Sequence, residues 1–467
     1  LADGTDPNCY DAQGFGPLHY AGDIGNADIA AALLEKNADP LSAGPKGKNK
    51  SPLFFAASQN SIDVLKIFHK VNSRLLVDLK AEGGMNPIHA AAWCNSSKGL
   101  RYLLEVGTQP DSLTEDGRRE TALHIAAAMG SLESVKVLVK GGCDPSLPDA
   151  QGENAIHAAA RSGKLKIVKY ILEKQPGHIW SSLVDQRGND GKTPLHSAVQ
   201  GENPDIISFL LDTGGDPNMG GASASSPLHS AAEKGLARIA AMLLQHTKEP
   251  NLRNENDETP LHLAAMTGKS DFIVHFFQDC AELGLSVDVN ARNKSNKTAL
   301  GLALSNSCED AAKFLLGKGS ISVCDGDGNY AIHHAAWRGY DSIVKQLLSH
   351  EGADKRGYVG RTPLHCAALR GKLSTVKLLI TVYPNVLNEK DNSHMTPVYS
   401  ALANRNLDVA HYLLDMGADY SVVDEYGNSL LLIAAEILIC QWLNASSALA
   451  VEETNVTGLA QPHLVLP

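Results

Sequence analysis

Short stretches rich in alanine and leucine alternate along this chain with segments whose apolar residues fall three and four places apart, and polar turns separate the two at a nearly constant interval. His124-Ile125-Ala126-Ala127-Ala128-Met129 is one such small-residue stretch; Val135, Leu138 and Val139 follow it at helical spacing, as do Ile167, Ile171 and Leu172 in the next copy. A four-residue phrase opens each copy, as in Thr121-Ala122-Leu123-His124, Thr193-Pro194-Leu195-His196 and Thr362-Pro363-Leu364-His365. Its copies begin at 16, 51, 86, 121, 154, 193, 226, 259, 298, 330, 362, 396 and 429, thirteen in all, 32 to 39 residues apart. A leading Thr or Ser accepts hydrogen bonds from free backbone N–H groups of a first helical turn, and Pro in the next place loses nothing there. The phrase therefore predicts a helix start. Gly at 25, 130, 163, 235, 268, 339 and 371 predicts where that helix stops, in the left-handed conformation. Phrases such as Asp149-Ala150-Gln151-Gly152 and Gly215-Asp216-Pro217-Asn218 supply the turns between copies.

Period, capping phrase, helix-ending glycine and turn composition together resemble the ankyrin repeat, a family recognised by a period of about 33 residues and the Thr-Pro-Leu-His signature. The likeness runs over residues 1–443. It implies an all-α repeat solenoid of stacked helix-turn-helix ankyrin repeats with projecting β-hairpin loops, curved and roughly 100–130 Å long at the usual spacing between helices. Gly301 and Tyr399 stand where His is usual, and the thirteenth copy dissolves after Ala435. Residues 444–467 carry neither the period nor a second-helix pattern and are expected to form a flexible C-terminal tail. Thr5-Asp6-Pro7-Asn8 matches the end of a preceding repeat, so the sequence is expected to be a fragment of something longer.

The chain has 467 residues, a formal charge of −11 and only 5% aromatic residues. A compact chain of that length would ordinarily divide into about three domains; a repeat array removes that expectation. Thin layers of alanine against Leu, Ile and Val explain the aromatic deficit. Excess acid argues against nucleic acid as a partner. No apolar run reaches 18 residues, and no signal peptide is readable, so no membrane insertion by this segment and a cytoplasmic location are expected. Eight scattered cysteines without a Cys-x-x-Cys pair suit reduced thiols.

Eighteen histidines invite a metal or acid–base reading. The resemblance assigns nine of them, His19, His89, His124, His157, His196, His229, His262, His333 and His365, a structural role, bonding within and between neighbouring loops. Being spread one per repeat, they do not converge as ligands must. Asp325-Gly326-Asp327-Gly328-Asn329 resembles the start of a calcium loop but has Tyr330 and Ala336 where that loop needs Gly and Glu. The lysines at 46, 48 and 50 lack the first glycine of a phosphate cradle. No catalytic constellation, metal site or cofactor motif is expected, and the chain is read as a monomeric, non-catalytic protein-interaction scaffold.

In the family, partners dock on the concave face and hairpin tips. The seventh and eighth places after each cap should project there, and two clusters of them are candidate binding residues. One is Trp93, Met129 and Arg161; the other is Trp337, Arg338, Leu369 and Arg370. Trp and Arg are the types most enriched in binding hot spots. The competing reading is that each Trp packs on its neighbouring repeat. Tip residues Arg118, Arg119 and Arg361 read as solvated charges. Copies five and eight are about six residues longer than the rest, near 175–189 and 278–292, by neutral drift or as binding appendages, with Trp180 expected in an extended loop. The array also suits the targeting or regulatory region of a larger protein, such as a tankyrase-like poly(ADP-ribose) polymerase or an ankyrin-bearing transient receptor potential channel.

Overall fold

The computed structural model describes residues 6–42, 51–78, 84–319 and 323–423, with 429, 430, 432 and 435. Twelve first helices begin one place after the expected caps, at Pro17, Pro52, Pro87, Ala122, Ala155, Pro194, Pro227, Pro260, Ala299, Ala331, Pro363 and Pro397. Thr121 illustrates why. Its backbone is extended (φ −81°, ψ 164°), and its Oγ1 accepts the His124 N–H at 3.3 Å. The residue nine places after the cap has positive φ in all twelve copies, at Gly25, Asn60, Asn95, Gly130, Gly163, Glu202, Gly235, Gly268, Ser307, Gly339, Gly371 and Arg405. The left-handed stop thus belongs to the repeat itself, and five copies adopt it without glycine. Most of the thirteenth copy, the 444–467 tail and the lysine-rich loop at 46–50 lie outside the described residues.

The first helices bury small alanines, such as Ala126 and Ala127, which are fully shielded beside Leu123. With no side chain beyond Cβ, they let the helix pack closely between its counterparts in the adjoining repeats, as Ala122–Met129 does between Pro87–Trp93 and Ala155–Arg161. Second helices contribute the aliphatic layer: Leu132–Lys140 buries Val135 and Leu138, and Leu165–Glu173 buries Ile167, Val168, Ile171 and Leu172. Burying one such side chain stabilises the fold by about 1.5–3 kcal/mol, and the sum grows with repeat number.

The contacts divide the chain into two compact units, Leu1–Pro260 with His275–Val287, and Leu261–Val274 with Asp288–Pro467. Within the first, successive loops are tied by backbone bonds from Ala150 N to Arg118 O (2.7 Å), Asn189 N to Gln151 O (2.6 Å) and Glu255 N to Ser223 O (2.8 Å). Within the second, Gly326 N bonds Ser295 O and Asn392 N bonds Val359 O, both at 2.9 Å.

The loops differ from paired strands. Among the described residues the one strand-like pairing is an isolated bridge between Val423 and Ser429. Elsewhere an Asp or Asn closes the loop as a turn: Asp149 Oδ1 accepts the N–H groups of Gln151 (2.8 Å) and Glu153 (2.9 Å), and Asp325 Oδ1 those of Asp327 (3.1 Å) and Asn329 (2.8 Å). That bonding competes with a ladder. Trp180 is not in an extended loop. It lies in a helix, Gly177–Val184, which buries Leu183 and Val184, and its Nε1 donates to Gln175 O at 3.1 Å. The other long copy spends part of its extra length on its second helix, Ser270–Glu282, of 13 residues.

Candidate protein-interaction surface

The capping histidines face inward. His124 Nδ1 accepts the Thr121 N–H at 3.2 Å, while Nε2 donates to Glu153 O, in the next loop, at 2.9 Å. Because a carbonyl only accepts, Nε2 carries the proton and Nδ1 is free to accept. The same arrangement recurs at His89 with Ser112 O (2.9 Å), His157 with Lys192 O (3.2 Å), His196 with Ser225 O (3.0 Å), His229 with Glu258 O (2.9 Å), His333 with Lys355 O and Arg361 O (both 3.0 Å), and His365 with Met395 O (2.9 Å). His262 Nε2 donates to Lys297 O at 3.2 Å, and His19 Nδ1 accepts the Gly16 N–H at 2.9 Å. The rings of His89, His124, His157, His196, His229, His333 and His365 thus each join their own cap to the loop after it.

Burial pushes His89, His157, His196 and His333 down to about 4, and lowers His124 and His365 as well. Desolvation disfavours the imidazolium. A second proton would also turn Nδ1 from acceptor into donor against the N–H it caps. These rings are neutral at pH 7. Among the described residues no group of three or more His, Cys, Asp or Glu side chains is arranged to hold a metal ion. The calcium-like Asp325 is spent on its own turn and on His334, whose Nε2 lies 2.9 Å from Asp325 Oδ2. Burial pushes the thiols of Cys143, Cys280 and Cys366 up to about 12, away from thiolate chemistry.

The seventh and eighth places after the caps are nowhere buried in the twelve copies. Trp93 and Met129 end their first helices, each 46% exposed. Arg161 ends the next first helix and pairs with Glu153, which raises its affinity for its own proton and commits part of its guanidinium inside the repeat. In the second cluster Trp337 is half-buried and the Arg370 guanidinium of the following repeat sits 4.9 Å from its ring centroid. Arg338 Nη2 donates to Ser305 O in the preceding repeat at 2.5 Å, and Leu369 is half-exposed beside Arg370. Trp337 is therefore packed against a neighbour, whereas Trp93 projects.

Arg361 departs from the solvated tip expected of it. Its side chain is 26% exposed and Nε lies 3.5 Å from Asp391 Oδ2, a carboxylate with no solvent exposure. Arg118 pairs with Asp116 (2.7 Å) and Glu120 (3.2 Å). Arg361 joins Lys297, Trp337, Arg338 and Tyr358 around a recess of about 420 Å³. Lys297 and Tyr358 escaped the sequence reading because they belong to loops of different length. Lys297 does stand, like Arg361, one place before a cap, and that shared register is the signal that finds it.

The profile described as Ankyrin repeats (3 copies) matches residues 40–114, 106–180, 123–221, 177–254, 228–327, 277–356 and 332–424, and the single Ankyrin repeat profile matches 13–44. Among curated relatives, human transient receptor potential cation channel subfamily A member 1 is 24% identical over 423 residues, 81% of this chain and 37% of that protein. Dog inversin is 29% identical over 203 residues, 43% of this chain and 18% of inversin. Chicken nuclear factor NF-kappa-B p105 subunit is 31% identical over 153 residues, 32% of this chain and 16% of that subunit. The chain spans at most 37% of the length of these relatives.

Proposed function

The chain belongs to the ankyrin repeat family, whose repeats mediate protein–protein interaction, and from that premise we propose that it is a non-catalytic, cytoplasmic and monomeric scaffold that binds protein partners along the ends of its first helices and the adjoining loops. The observation that carries this reading is a division of labour within the repeat. The capping residues and histidines are consumed by bonds inside the stack, while Trp93 and Met129, at the seventh and eighth places of adjacent copies, remain nearly half exposed. Large apolar side chains kept at such positions offer rigid anchor area. Affinity capture with the intact chain tests it: Trp93→Ala with Met129→Ala should remove partners retained by the parent at an unchanged melting temperature. An unchanged set of partners for this pair and for Trp337→Ala contradicts it.

One observation favours a more specific second reading. The likeness to the human channel extends over 81% of this chain and 37% of that protein, which supports reading the array as the ankyrin region of a channel-like protein. Among the described residues no helix is long and apolar enough to cross a membrane. The transcript decides it, since a reading frame with six apolar spans after the array supports the channel and one without them contradicts it.

A further inference from the structure

We propose that the recess around Trp337 is a carboxylate-reading site, and that the partner segment it takes is an acidic peptide. The inference rests on the protein-binding reading above and names the chemistry of the partner. A chain with a formal charge of −11 gathers Lys297, Arg338, Arg361 and Arg370 at or beside one recess of about 420 Å³, and among the described residues no carboxylate lines it. The acids that touch these cations lie beneath. Asp325, 3.9 Å from Lys297 Nζ, and Asp391, 3.5 Å from Arg361 Nε, have side chains 5% and 0% exposed.

The guanidinium groups are incompletely used. Arg338 is bonded to one carbonyl, Ser305 O, and Arg370 lies over the Trp337 ring; among the described residues neither has a carboxylate partner. Arg361 meets Asp391 through Nε, which leaves its two terminal nitrogens without an acceptor among the described residues. A guanidinium presents five N–H donors in a planar fork that matches a carboxylate, so several donors of this recess await an acceptor. Trp337 supplies a flat floor on which Arg370 is already stacked, and Tyr358, 57% exposed, stands at the rim. Ring stacking orients a guanidinium while leaving its edge N–H groups open. An extended acidic segment fits this chemistry: carboxylates on the arginine edges, an apolar residue against Tyr358.

Fluorescence anisotropy of the intact chain with a labelled decapeptide carrying five glutamates, against the same peptide with glutamines, tests the proposal. The glutamate peptide should bind at least about tenfold tighter, and raising salt from about 50 to about 500 mM should erase most of that difference. Arg338→Gln with Arg370→Gln should abolish the preference, whereas Arg101→Gln with Lys136→Gln, at a recess of the second-helix side, should leave it intact; circular dichroism melting confirms that both pairs fold. No preference for glutamate, an equal loss in the control pair, or tighter binding of a single-stranded RNA oligomer than of the glutamate peptide would overturn the site. If the peptide fails while captured partners still depend on Trp337, the acidic chemistry alone is wrong; if capture is also indifferent to Trp93, Met129 and Trp337, the protein-binding reading falls with it.

Discussion

His124 joins two repeats through opposite edges of one ring, accepting the Thr121 N–H at Nδ1 (3.2 Å) and donating from Nε2 to Glu153 O (2.9 Å). The bond pattern needs a neutral imidazole. Where the same place is filled by another residue the coupling must come from elsewhere: at Gly301 the cap is held by Thr298 Oγ1 alone, at 3.3 Å, and the next loop is tied by Gly326 N to Ser295 O and by Asn296 Nδ2 to Cys324 O (2.8 Å).

Acid should unfold the array in a defined window. A histidine whose folded value lies near 4 while the unfolded value stays near 6.5 takes up its proton first in the unfolded chain, so stability is full above about 6.5 and is lost as pH falls toward 4. Each such ring contributes up to about 1.4 kcal/mol per pH unit within that window. Urea midpoints measured at several pH values should drop steeply below pH 6.5, and His89→Gln, which removes one of these titrations, should flatten the slope. A midpoint constant from pH 7 to 5 would contradict the account.

Two threonines at the same repeat place should respond oppositely to loss of the hydroxyl. Thr362 Oγ1 lies 2.8 Å from His365 Nδ1 and accepts the His365 N–H at 3.4 Å. Thr396, followed by Tyr399 in place of His, has a buried Oγ1 without a hydrogen-bond partner. Thr362→Val should cost about 1–2 kcal/mol, while Thr396→Val should be neutral or slightly stabilising. Chemical denaturation of the two variants compares them directly.

The helix stops give a third contrast. Glu202 (φ 56°) and Arg405 (φ 60°) hold the conformation that Gly130 (φ 82°) holds in its copy. Glu202→Gly and Arg405→Gly should each raise stability by about 1 kcal/mol and Gly130→Ala should lower it by a similar amount, since left-handed backbone is strained for any residue with a Cβ. Thermal melts of the three single variants suffice.

Much of the fold was legible because it is written twelve times over. The Thr-Pro-Leu-His phrase states the cap, the proline-compatible first turn and the ring that closes it, and glycine marks seven of the stops. Glu202, Ser307 and Arg405 hid theirs, since nothing in those residue types favours positive φ and the repeat imposes it from outside. Surplus length alone does not distinguish a loop from a turn of helix, so the helix at Gly177–Val184 that holds Trp180 is marked only by Leu183 and Val184 at helical spacing from it. The surface was partly legible. Counting from the cap located Trp93 and Met129, but the pairing of Arg370 with Trp337, and the burial of Arg361 over Asp391, depend on side-chain reach between repeats, which no single-repeat pattern contains.

The central claim is that partners dock on the first-helix ends and not on the second-helix side. Site-specific photo-crosslinking in the intact chain tests it most directly, with the crosslinker placed in turn at Met129 and Leu369 and, on second helices, at Glu133 and Lys377. The account predicts partner adducts from Met129 and Leu369 and none from Glu133 or Lys377; adducts confined to the second-helix positions would contradict it.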